Sequence, residues 1–195
     1  SLVDTPTNGD TASDTGAGGE ITGCYATLNP LDKGSGGTLS NGNLDYTSSS
    51  SGSGTIRGTI GVSSGKWYWE ATISSIGTSS IGIADQSLSL TSELGNSSQS
   101  YGYLSDARKY NNGGVSSYGA SYTTGDVIGV ALDLDAGTLT FYKNGASQGQ
   151  AFSGISSGPY FPGLSDFGSV TTWNVNFGQR AFSHPVSGYK SLNTA

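Results

Sequence analysis

The chain has 195 residues, of which 33% are hydrophobic and only 11% charged, with 32 glycines and a formal net charge of −6. The eight basic residues stand scattered, with only Arg108-Lys109 adjacent, so the clustered cations that a phosphate backbone requires are missing and nucleic acid is excluded as a partner. No apolar run approaches the roughly 20 residues that span a bilayer, and no Ala/Leu/Glu/Lys/Gln run favours a helix.

Short β-rich segments separated by Gly, Ser, Thr and Asn predict an all-β chain. Cys24 is the only cysteine, which rules out an intrachain disulfide and a Cys-based zinc site. It reads as a small buried hydrophobe at a strand start. Methionine is absent even at position 1, and the expectation is a fragment, a processed product or a domain cut from something longer.

Residues 1–23 form a polar lead-in with too few apolar residues to bury. The domain is expected over 24–182, with 183–195 as a C-terminal tail. Leu39 to Tyr46 carries Asn41-Gly42 at its centre, a strong hairpin signal. Thr55 to Gly61 then leads into Lys66-Trp67-Tyr68-Trp69-Glu70-Ala71-Thr72-Ile73. Alternate strand residues share a face, so Trp67, Trp69, Ala71 and Ile73 are expected in the core, and Lys66, Tyr68, Glu70 and Thr72 on the other side. In Ser80-Ile81-Gly82-Ile83-Ala84, the isoleucines share one face and small residues the other, which lets a neighbouring layer approach closely. Leu88 to Leu94 is either a helical turn or a loop. Ser100 to Asp106 reads as a strand and Arg108 to Gly114 as a turn-rich tip. Asp126 to Lys143 is a hairpin about Asp135-Ala136-Gly137, and Asn144-Gly145 makes a second tight turn. Tyr160 to Leu164 and Val170 to Gly178 close the set, at about ten strands with no convincing helix, which points to two antiparallel sheets packed face to face.

Gly65-Lys66-Trp67-Tyr68-Trp69-Glu70, the hairpin ending in Leu139-Thr140-Phe141-Tyr142-Lys143-Asn144-Gly145, and Phe161-Pro162 resemble the SPRY family over roughly residues 24–178. The tail Asn176 to Phe182 and the Gly/Ser/Tyr texture look like SPRY-type domains at the ends of tailed-bacteriophage structural proteins. The resemblance implies a two-sheet antiparallel concanavalin-like β-sandwich. It also implies a non-enzymatic binding module that reads a partner through loops at one end, the alternative being a capsid- or tail-assembly module with no host ligand. The expected partner is a protein or a surface glycan, on a host or within a virion. The expected setting is a virion or the extracellular space, with oligomers possible through the rest of a longer chain.

Candidate chemistry is sparse. A glycosidase on such a sandwich needs two carboxylates flanking the bond, and Glu70 lacks an accompanying acidic motif, so it reads as a hydrogen-bonded or solvated strand residue. Asp133-Leu134-Asp135-Ala136-Gly137 lacks the ligand pattern of a calcium loop and reads as a hairpin turn. His184, the only histidine, has no nucleophile elbow to serve and reads as a surface turn residue. No cofactor and no metal are expected. The binding signal lies in Tyr101, Tyr103, Asp106, Arg108, Lys109, Tyr110, Asn111, Asn112, Tyr118 and Tyr122. Tyrosines among Ser, Gly and Asn are the palette of antibody loops, offering large contact area at low entropy cost.

Overall fold

The structure, a computed structural model, describes residues 24–49, 53–156 and 158–194, so the lead-in expected over 1–23 lies outside it. Fifteen strands and no helix occur among the described residues. One sheet holds, in order, β1 (Leu28–Lys33), β4 (Ser53–Gly58), β13 (Phe161–Phe167), β6 (Ser79–Ala84), β7 (Ser100–Leu104), β8 (Arg108–Asn111) and β9 (Gly114–Ser117). The other holds β12 (Ala146–Ser153), β11 (Thr138–Lys143), β10 (Val127–Asp133), β5 (Lys66–Ser75), β14 (Thr172–Asn176), β3 (Asp45–Thr47) and β2 (Thr38–Ser40). β15 (Lys190–Ser191) joins β5 in parallel, while every other strand pairing is antiparallel. This is the expected two-sheet sandwich.

Alternation along β5 builds the core as read. Trp69 opposes Val130, Ala71 lies between Ile128 and Val175, and Trp173 opposes Ile73. These side chains meet Ile56, Ile81, Ile83 and Leu164 from the other sheet. Trp67, at the strand's mouth, is only half-buried and donates its indole N–H to the Ser64 carbonyl at 2.7 Å. Asn112-Gly113 and Asn144-Gly145 each turn a hairpin with both residues at positive φ, the conformation of a type I′ turn, whose twist matches the flanking strands. Cys24, expected buried, is exposed. The core-facing positions here are Ala26 and Leu28, and Cys24 lies outside them, its amide donating to Thr194 Oγ1 at 2.9 Å.

The outer face of each sheet is covered by an irregular segment. Residues 85–99 cross the small-residue face of the first sheet as a loop with no helical turn. Leu94 lies over Gly163 and Gly102, and its amide donates to Ser165 Oγ at 3.0 Å. Ser165 in turn shares a 2.7 Å hydrogen bond with Ser80. The glycine and alanine face of β6 thus receives a close layer, as its side chains imply. A Cβ at Gly163 would stand 2.7 Å from Leu94 Cδ2. Gly163→Val is therefore expected to destabilise by about 1–3 kcal/mol through overpacking, readable as a lowered urea midpoint with an unchanged slope.

On the second sheet the cover is residues 178–189, within and just before the stretch set apart in the sequence as a tail. Ser183 and His184 donate their amides to the Glu70 carboxylate at 2.8 and 2.7 Å, and Tyr68 donates to the His184 carbonyl at 2.8 Å. Phe182 packs edge-on against the Tyr68 ring at 5.0 Å. Beyond β15, Leu192 is fully buried. The polar side of β5 therefore faces protein, and Glu70 is 2% exposed.

Asp166, buried at the opposite end of β13 from Phe161, has its carboxyl pushed up to about 6 by burial. The Gly168 amide it accepts opposes that shift and the Glu93 charge adds to it. With the folded value above the unfolded one, near 4, the folded state holds the extra proton between those values. Stability from this group is present below about pH 4 and is lost as pH rises toward 6. The stability difference between the native protein and Asp166→Asn is expected to fall across that window in denaturant titrations. A flat difference would contradict it.

Candidate functional site

The ten residues singled out by composition do not form one surface. Tyr101, Tyr103, Tyr118 and Tyr122 are buried between the sheets. Tyr103 rings stack edge-on with Tyr118 and Tyr122, each 5.1 Å away. Their hydroxyls are spent on backbone: Tyr103 donates to the Ala120 carbonyl, Tyr118 to that of Gly149 at 2.6 Å, and Tyr122 to that of Tyr103 at 2.9 Å. Burial pushes Tyr101, Tyr103 and Tyr118 up to about 12, so they stay neutral donors. These four rings are a wall of the core, because Tyr101 and Tyr103 take the inward register of β7 while Gly102 takes the outward one.

The remaining six lie on the β8–β9 hairpin and its approach. Lys109 reaches across to the Ala151 carbonyl of β12 and sits 5.3 Å from the Phe152 ring centre. Asn111 braces the 97–100 turn, donating to the Ser100 carbonyl at 2.7 Å. Tyr110 packs on Gly95 and donates to Asn96 Oδ1 at 3.1 Å. Asp106 pairs with Arg108, and these two and Asn112 are exposed. Val115, on the neighbouring strand, is 45% exposed.

A concave site does exist, and it lies at the end of the sandwich where β6 and β7 meet the approach to β13. A cleft of about 370 Å³ is lined by Asp85, Gln86, Ser87, Gln99, Ser156, Gly158, Pro159 and Tyr160, near the lower end of the size range of ligand pockets. Its walls are held firmly. The Asp85 amide donates to the Gln99 carbonyl at 3.1 Å, joining the two arms of the 85–99 loop. Asp85 Oδ1 accepts the Ser87 amide at 3.0 Å and its hydroxyl at 2.6 Å, a turn in which an Asp side chain replaces a backbone acceptor. Tyr160 is anchored by a two-bond bridge to Val62 at 2.9 Å each way, and its hydroxyl donates to Gln99 Oε1.

Behind the cleft stands Arg57, unmarked in the sequence reading. Its Nε and Nη2 donate to the two Asp32 carboxylate oxygens at 2.8 Å. Its Nη1 donates to the Asp85 and Leu88 carbonyls at 2.9 Å. The guanidinium is 4% exposed and ties β1 and the cleft loop to β4. The available signal was a lone arginine beside Ile56 in a strand, which alternation places on the face opposite the core. Asp133 and Asp135, weighed as calcium ligands, tie the hairpin turn to the start of β5: Asp133 pairs with Lys66 at 2.9 Å and Asp135 accepts the Gly65 amide at 2.8 Å.

The geometry agrees with comparisons to known proteins. By sequence the chain is 34% identical over 137 residues to the E3 ubiquitin-protein ligase RKP of Arabidopsis thaliana, covering 67% of this chain and 11% of that protein. It is 33% identical over 141 residues to the probable ATP-dependent RNA helicase ddx1 of Dictyostelium discoideum, covering 72% and 18%. It is 34% identical over 173 residues to Ran-binding protein 9 of Xenopus tropicalis, covering 82% and 31%. The chain thus spans less than a third of each relative's length. Among solved structures, the SPRY domain of human HERC1 matches with a TM-score of 0.68 at 22% identity, over 76% of this chain and 96% of that one. The stonustoxin structure matches at 0.66 and 24%, over 78% and 27%. The sequence relatives come from plant, slime mould and frog and the HERC1 domain from human, and none of them supports the phage-type likeness. The SPRY domain model matches residues 66–180, more than half of the chain, from the Trp67/Trp69 strand to the end of β14 and just beyond, and the chain belongs to the SPRY domain family.

Proposed function

We propose that this chain is a non-enzymatic protein-recognition module that contacts its partner at the end of the sandwich where the Asp85–Tyr160 cleft opens. The observation that carries the reading is the cleft itself, concave and lined by polar groups whose positions are fixed by hydrogen bonds, so little order must be imposed on binding. The Ran-binding and ligase relatives, whose names mark assemblies with other proteins, favour a protein ligand over a glycan. A virion or extracellular setting rests on the Asn176 to Phe182 tail and the Gly/Ser/Tyr texture and does not enter this reading. The exposed part of the β8–β9 hairpin, with Asp106, Arg108, Asn112 and Val115, is the competing contact.

The test is selection of binders from a displayed random-peptide library, followed by affinity measurement on variants. Ser87→Trp and Pro159→Arg fill or block the cleft, and Val115→Glu and Arg108→Glu alter the hairpin. The cleft variants are expected to weaken binding about tenfold or more, equivalent to roughly 1.4 kcal/mol, with the hairpin variants near native. The reverse pattern would move the contact to the hairpin.

A further inference from the structure

We propose, resting on the cleft as the contact site, that it takes the cationic side chain of a partner protein, arginine by preference, against the Asp85 carboxylate. Among the described lining residues Asp85 is the only acidic or basic one. Its Oδ1 holds the Ser87 amide and hydroxyl, and no described residue donates to Oδ2. The adjacent cation, Arg57, does not compensate it. Both arms of that guanidinium are spent on Asp32, and its remaining nitrogen reaches only the backbone carbonyls of Asp85 and Leu88. The cleft is therefore a built acceptor with an unmatched negative charge.

The rest of the lining suits a long side chain with a planar charged end. Gln99 Oε1 accepts from the Tyr160 hydroxyl and keeps a second lone pair. Together with Asp85 it can engage a guanidinium, which presents several donors in one plane, better than a single ammonium. Pro159, exposed at the rim, offers an apolar surface for the methylenes behind the charge. The net charge of −6 adds long-range attraction for a basic partner.

The experiment is an NMR titration of the domain with N-acetyl-arginine amide and with N-acetyl-citrulline amide, which has nearly the same shape without the charge. It is repeated on Asp85→Asn, whose side-chain oxygen can still accept the Ser87 amide and so keeps the turn. Saturable shifts are expected at the Ser87, Gln99 and Gly158 amides with the arginine probe. About fivefold weaker binding, near 1 kcal/mol, is expected with citrulline or with Asp85→Asn, and added salt reduces the difference. Equal binding of the two probes, an unaffected Asp85→Asn, or no shifts at the cleft overturns the proposal. The library-selected peptides separate the two levels. If Ser87→Trp abolishes their binding while replacing their arginines by citrulline does not, the cleft stands and the cation falls. If Ser87→Trp has no effect, the cleft reading itself falls.

Discussion

Arg57→Met is expected to cost about 3–5 kcal/mol, the range for breaking a buried ion pair by removing one partner. The loss would not come from hydrophobic volume, which methionine largely restores. It comes from the groups stranded around it: the Asp32 carboxylate, accepting two 2.8 Å bonds, and the Asp85 and Leu88 carbonyls, each accepting one at 2.9 Å. At roughly 2–4 °C per kcal/mol for a domain of this size, the midpoint of thermal unfolding should fall by about 10 °C. The double variant Arg57→Met/Asp32→Leu is expected to recover part of the loss, because no carboxylate is then left unpaired. The same substitution releases the loop carrying Asp85 and Ser87, so peptide affinity should fall even at temperatures where the sandwich is intact. A loss below about 1 kcal/mol would mean that solvent already satisfies these groups.

Glu70→Ala carries the second large expectation, a loss of about 2–4 kcal/mol. It removes a buried carboxylate that accepts two charge-assisted bonds, each worth roughly 1.5–3 kcal/mol, from the Ser183 and His184 amides. The damage is expected to begin locally. Residues 178–189 should lift from the sheet before the sandwich unfolds, seen as faster amide exchange at Ser183 and His184 than at core strands such as β10. Glu70→Gln, which keeps one acceptor oxygen but turns an amide toward a second N–H, should fall between the two. Exchange rates at Ser183 unchanged by Glu70→Ala would show that the cover is held by Phe182 and the Tyr68 hydroxyl instead.

What could be read from the residues was what depends on near neighbours. The alternation through Trp67, Trp69, Ala71 and Ile73 located the central strand, and Asn-Gly pairs placed two hairpins that the structure closes with positive φ at both residues. The small face of β6 announced a close layer. The outward side of β5 was another matter, since Glu70 meets Ser183 across 113 residues of chain, and local pattern carries no information about such a pairing. Tyrosines were misleading for a related reason: the same Tyr/Ser/Gly composition serves a binding loop and a wall between sheets, and only register and the spent hydroxyls distinguish them. The cleft draws on residues 85–87, 99, 156 and 158–160, from three separate stretches with no motif in common, so it could not be seen before the chain was folded. Arg57 was visible as an arginine in a strand, but its four acceptors belong to residues as far as 31 positions away.

The measurement that bears most directly on the recognition site is an amide hydrogen-exchange footprint of the domain with and without a library-selected peptide. If the partner seats in the cleft, protection concentrates in residues 85–88, 99, 156 and 158–160, and the 108–117 hairpin exchanges as in the unbound protein. Protection confined to residues 108–117, with the cleft segments unchanged, would contradict the cleft as the site of recognition.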